Sequence, residues 1–125
     1  MLVNTYDVVL HSDKRGWLAE VFREDIFKNR IAQVYISYSR KKSVRGGHYH
    51  KRKVEWFYII SGRARLFLRR YDSVVEEVFE VSDLDRKVLE VPPFVYHKLE
   101  ILSNEVFLLV GSSETYNGND PDTFD

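Results

Sequence analysis

The sequence predicts an all-β domain, a sandwich or barrel of short antiparallel strands. Segments rich in Val, Ile, Tyr and Phe recur with a spacing of about ten residues, clusters of turn-forming residues separate them, and helical character is confined to one short stretch. In chain order, residues 5–10 open as a strand. Residues 24–30 (EDIFKNR) form a short turn of helix, with acids at the start and bases at the end to match the helix dipole. Residues 33–39 (QVYISYS) are β-branched and aromatic, and 54–60 (VEWFYII) make a strong strand closed by Ser61-Gly62. Strands over 64–71, 74–81, 87–91, 95–102 and 105–110 follow. Turns are read at Gly46-Gly47, Tyr71-Asp72-Ser73, Ser82-Asp83, Pro92-Pro93 and Ser103-Asn104. The tail 118–125 (GNDPDTFD) is rich in turn residues and is expected to run along the surface.

The 125 residues fit one domain, read as 1–125, and 44% hydrophobic with 30% charged residues is a globular balance. Lys plus Arg and Asp plus Glu are 19 each, so there is no basic excess for a nucleic-acid partner. The basic pairs and triplets 41–42, 51–53 and 69–70 are read as solvated edges. No apolar run approaches the roughly 20 residues of a membrane span, and the N-terminus lacks a signal-peptide pattern, so the expected location is the cytoplasm. The absence of cysteine excludes disulfides, thiolate metal sites and a Cys nucleophile.

Three of the four histidines fall into a pattern. His48 and His50 share one face if HYH is extended. With 51–53 as a hairpin turn, Glu55 lies across from them, in the apolar register of Phe57 and Ile59. A carboxylate there needs a cation or a proton. In the strand from Val95, the inward set is Val95, His97, Leu99 and Ile101. Three inward imidazoles and a carboxylate match what zinc, iron, nickel or manganese accepts. His11 is read as a surface residue.

Gly47-His48-Tyr49-His50, then Glu55 and Gly62, resembles the first cupin motif, and Pro92-Pro93 before His97 resembles the second. Phe94 and Ile101 stand where that second motif usually has Gly and Asn. Within cupins, Arg15-Gly16 with Glu20, Phe22 and Arg23 resembles the dTDP-4-dehydrorhamnose 3,5-epimerase group. Residues 47–57 and the end NDPDTF are more similar still to the C-terminal cupin domain of bifunctional capsular polysaccharide epimerase-reductases. The resemblance implies a double-stranded β-helix barrel and a metal-dependent epimerase (C3 and/or C5) of a nucleotide-linked 4-keto-6-deoxy sugar, in capsule, O-antigen or other polysaccharide biosynthesis. It implies a divalent ion on His48, His50, Glu55 and His97, with zinc the first choice over nickel, iron or manganese. Arg15 and Arg45 match the family's pyrophosphate contacts, and Glu20 a nucleoside contact. His48 matches the family's base, and Tyr116 lies near its tyrosine-bearing segment as the candidate acid. A ligating His48 cannot also accept a proton, and the sequence leaves that choice open.

The metal-free epimerases of the group carry Gln where His50 and Glu55 stand and a Lys near Phe57. The chain thus exchanges an enolate-binding ammonium for a ligand set. The related sugar 3,4-ketoisomerases, with Gln in place of Glu55, are the alternative reading, beside a non-catalytic metal- or sugar-binding cupin and an iron oxygenase. The resemblance also implies a homodimer, with residues 5–10 and 33–39 as contact elements presenting Tyr6, Val8, Tyr35 and Tyr38. No reductase half matches, so reduction is expected of a separate protein.

Overall fold

A computed structural model describes residues 1–125. Its strands are β1 (Asn4–Asp7), β2 (Val9–Asp13), β3 (Gly16–Glu20), β4 (Gln33–Arg40), β5 (Val44–His48), β6 (Glu55–Ser61), β7 (Arg63–Arg70), β8 (Glu77–Ser82), β9 (Lys87–Val91), β10 (Val95–Ile101) and β11 (Glu105–Ser112), with one helical turn, α1 (Glu24–Phe27), between β3 and β4. A five-stranded sheet in the order β1-β9-β6-β11-β4 faces a four-stranded sheet in the order β5-β10-β7-β8, and β2-β3 form a separate hairpin. Every strand pair is antiparallel. The all-β prediction is met, as two sheets closed face to face.

Alternation decides the interior. Along β10 buried and half-buried residues alternate, and Val95, His97, Leu99 and Ile101 are the buried set, as their register requires. β7 places Ala64, Leu66 and Leu68 inward on the same rhythm. With Phe57, Ile59, Leu89, Val91, Val106, Leu108 and Val110 from the opposite sheet, they make one core. β6 is buried on both faces because its outer residues Trp56 and Tyr58 are also covered. Phe27 of α1 stacks on Trp56 with ring centroids 5.1 Å apart, and Trp56 Nε1 donates to Glu90 Oε1 at 2.8 Å. The helical stretch stops sooner than its sequence implied, because Lys28 turns left-handed at φ 56° and its N–H returns to the Glu24 carbonyl.

Three other expectations change. Residues 5–10 break into β1 and β2, and Tyr6 and Val8 pack into the Phe27–Trp56 cluster of their own chain. Val74 and Val75 are exposed in a loop, and β8 begins only at Glu77, which pairs with Leu68. Gly46-Gly47 do not turn the chain. Both lie inside β5, at φ 79° and 86°, where the β5–β10 register slips between His97 and Lys98. A Cβ on Gly46 would stand 2.7 Å from the His97 carbonyl oxygen, so this bulge requires glycine. No helix is long and apolar enough to cross a membrane.

Candidate functional site

The bulge sets His48 directly opposite His97 in the β5–β10 ladder, with ring centroids 4.9 Å apart. His50 follows on the connector to the other sheet, and Glu55 is the first residue of β6. Residues 51–53 are therefore not a hairpin: β5 and β6 lie in different sheets, and the corner between them carries His50 toward Glu55. His50 Nε2 sits 2.7 Å from Glu55 Oε1. The ligand atoms of His48, His50, Glu55 and His97 all lie within 4.8 Å of one another.

The donor set fits a divalent ion. His97, 1% exposed, donates Nδ1–H to the Val95 carbonyl at 3.1 Å, which turns Nε2 toward the site. That nitrogen lies 3.2 Å from Glu55 Oε1, yet has no hydrogen-bond partner. Two electron-pair donors facing each other in a buried site are what a cation joins. Burial works against ionisation of Glu55, but His50 and His97 beside it hold its carboxyl well below the usual range. Burial, and next the neighbouring His97 and His50, lower His48 to about 4, so its ring is neutral near pH 7.

His48, Glu55 and His97 line a cavity of about 210 Å³ between the sheets, with Tyr35, Ser37, Arg45, Phe57 and Leu99 among its other walls. Arg45 Nε donates to Ser39 Oγ at 2.6 Å and Nη2 to the Tyr38 carbonyl at 2.7 Å, which fixes its guanidinium at the wall. A more apolar cavity of about 280 Å³ under Met1, Phe79 and Leu89 holds none of the histidines. Phe94, at the position where the second cupin motif usually has Gly, takes the left-handed φ of 66° and donates its N–H to the His50 carbonyl at 2.7 Å.

Of the expected substrate residues, only Arg45 reaches this cavity. Arg15 is paired with Asp13 at the tip of the β2–β3 hairpin. Glu20, on β3, pairs with His11 at 3.3 Å and with Arg23 at 3.0 Å. Tyr116 lies beyond β11, 65% exposed, with its N–H on Gln33 Oε1, and the structure does not bring it to the cavity. The tyrosine that is there, Tyr35, was read from sequence as a contact residue. Burial and the Glu55 charge push its phenol up to about 12. The alternation of 33–39 carried the clue: Gln33, Tyr35, Ser37 and Ser39 make a polar face, which suits a cavity wall more than a core.

The family described as the polysaccharide biosynthesis C-terminal domain matches residues 11–124. A UDP-2-acetamido-2,6-beta-L-arabino-hexul-4-ose reductase of Pseudomonas aeruginosa is 27% identical over 96% of the chain, which spans only 32% of that protein. A probable low-salt glycan biosynthesis epimerase, Agl13 of Haloferax volcanii, is 27% identical over 96% of the chain and 83% of its own length. A doubly substituted 3,4-ketoisomerase, QdtA of Thermoanaerobacterium thermosaccharolyticum, solved with TDP, superimposes with a TM-score of 0.83 at 26% identity, over 98% of this chain and 86% of that one. The two facing sheets are thus the cupin double-stranded β-helix that the histidine motifs implied. With its match running through nearly every strand described above, the chain belongs to the polysaccharide biosynthesis C-terminal domain family.

Proposed function

We propose that the chain is an epimerase acting beside the ketone of a nucleotide-linked 4-keto-6-deoxy sugar in polysaccharide assembly, with a divalent ion, zinc first, on His48, His50, Glu55 and His97. The observation that carries this reading is the convergence of these four donors, three of which line a cavity that also holds Tyr35 and Arg45. A divalent ion there supplies positive charge to the ketone oxygen as the neighbouring carbon loses its proton. Tyr35 remains protonated to about pH 12 and is assigned proton return. Arg45, with Nε and Nη2 committed to the protein, offers Nη1 to a phosphate. Arg15 and Glu20, remote in this chain, are left out of the assignment.

His48 has two assignments that experiment separates. It is the half-buried member of the four and lines the cavity, and a neutral ring has a lone pair for either a metal or an α-proton. If His48→Gln keeps its metal and loses exchange, His48 is the base; if it loses both, His48 is a ligand. A 3,4-ketoisomerase is the second reading, favoured by the likeness to QdtA. It begins with the same proton removal and differs in where the proton returns. The product of either reaction is still a ketone, the substrate class of a reductase, for which the proposal invokes a separate protein. A homodimer through the open edge of β4 completes the reading.

The test is incubation of a dTDP- or UDP-linked 4-keto-6-deoxy sugar in deuterated water. Deuterium at C3 or C5 with inversion supports the epimerase, and a 3-keto product assigns the isomerase. No exchange, in the presence of zinc, nickel, iron or manganese, overturns both.

A further inference from the structure

The tail NDPDTF does more than cover a surface. Tyr49 and Phe124 exchange both backbone hydrogen bonds, at 2.8 and 3.0 Å, and their rings stack 5.6 Å apart, with Lys51 Nζ 4.2 Å from the Phe124 ring centroid. This bridge lays Asp122 against the corner that carries His50. Asp122 is 3% exposed and left-handed at φ 51°. A buried carboxylate and a left-handed non-glycine residue are each unfavourable by themselves. Here the carboxylate is satisfied by three successive backbone donors: Lys51 N–H to Oδ1 at 2.9 Å, and Arg52 and Lys53 N–H to Oδ2 at 3.0 Å each. The same residue's carbonyl oxygen lies 2.6 Å from His50 Nδ1. A carbonyl can only accept, so Nδ1 carries the hydrogen, and Nε2 is the nitrogen turned toward Glu55. On its other side, His50 is held through its own carbonyl by the Phe94 N–H.

We propose that Asp122 is a positioning residue for the metal centre: its carboxylate clamps the 51–53 corner while its carbonyl fixes the His50 ring so that Nε2 faces the site. Partners of this kind orient a ligand and set its tautomer. The inference rests on the metal reading for its consequence, and the clamp itself exists without the ion.

The experiment is a long-range ¹⁵N–¹H spectrum of histidine-labelled protein, metal-free, joined to a zinc titration against a chromophoric chelator. In the unmutated chain His50 Nδ1 should appear as an N–H, and a His50 whose Nδ1 carries no hydrogen overturns the proposal. Asp122→Ala should weaken or shift the His50 Nδ1–H signal, leave His97 Nδ1 protonated, and weaken zinc by about 10- to 100-fold. Unchanged zinc affinity with an unchanged His50 spectrum overturns it. Should Asp122→Ala fail to fold, Asp122→Asn, which tolerates the left-handed backbone and keeps one acceptor, is read the same way, with a smaller loss expected in the same direction. If the unmutated chain takes up no zinc, nickel, iron or manganese, the metal reading falls, and the metal-free spectra of the unmutated and Asp122→Asn chains still decide the clamp.

Discussion

Tyr35 is the residue whose role changed most between sequence and structure. If it returns the proton, Tyr35→Phe should cut solvent-deuterium exchange by about 10²- to 10⁴-fold while substrate still binds; exchange at the unmutated rate would remove it from the mechanism. Its phenol is raised from 10.0 to about 12, so the folded state holds the proton more tightly than the unfolded chain. The stability this contributes is whole below pH 10 and is lost as pH rises through about 12. Melting curves from pH 9 to 12 should therefore fall more steeply for the unmutated chain than for Tyr35→Phe. Gly46 makes a second residue-scale case. Gly46→Ala drives a Cβ to 2.7 Å from the His97 carbonyl oxygen at φ 79°. The cost should be about 1–3 kcal/mol by denaturant titration, with zinc uptake weakened because His48 and His97 lose their register; an unchanged midpoint would show that the bulge relaxes freely. His48, His50, Glu55 and His97 were legible as a cluster because histidines and a carboxylate in inward strand registers stand out chemically. Tyr35 was not, because one of eight tyrosines looks like any other until the sheet is assembled.

Among the elements, β4 is the exposed one. It pairs only with β11, which leaves its outer edge free over eight residues. Val34, Ile36 and Tyr38 are exposed on its outer face, and Tyr38 packs on Phe107 with centroids 5.0 Å apart. A long apolar edge strand invites a second strand, and a second copy of this chain is the simplest supplier. The chain should scatter light as a dimer at micromolar concentration, and Val34→Lys with Ile36→Lys should halve the mass without unfolding it. A monomer before substitution would refute this assembly. The sequence offered 33–39 as a contact strand but could not say which of its faces looked outward. It also offered Tyr6 and Val8 as surface, whereas both fill the layer over Trp56. The β2–β3 hairpin went unread, since Arg15-Gly16 was taken for a substrate motif and not for the turn that it also makes.

For the molecule as a whole, the ion is the test of coupling between site and fold. His48 and His97 come from one sheet, Glu55 from the other, and His50 from the corner between them. An ion joining all four ties the sheets together, and binding to the folded state alone stabilises it by mass action, about 2.7 kcal/mol at a hundred times Kd. For a domain of this size that is roughly a 10 °C rise in Tm. Zinc should raise the midpoint and a chelator lower it, whereas a Tm indifferent to both would deny the metal any place in the fold.

The sequence alone determined the β architecture, the inward register of His97, and the identity of the four donors, because side-chain alternation and ligand chemistry are local properties. Their convergence was decided elsewhere. A one-residue bulge at Gly46-Gly47 aligns His48 with His97, a corner between sheets replaces the expected hairpin, and a tail some 70 residues downstream of His50 supplies the carbonyl that orients it. Those contacts join positions far apart in the chain, and no local spacing encodes which backbone oxygen a distant histidine will meet.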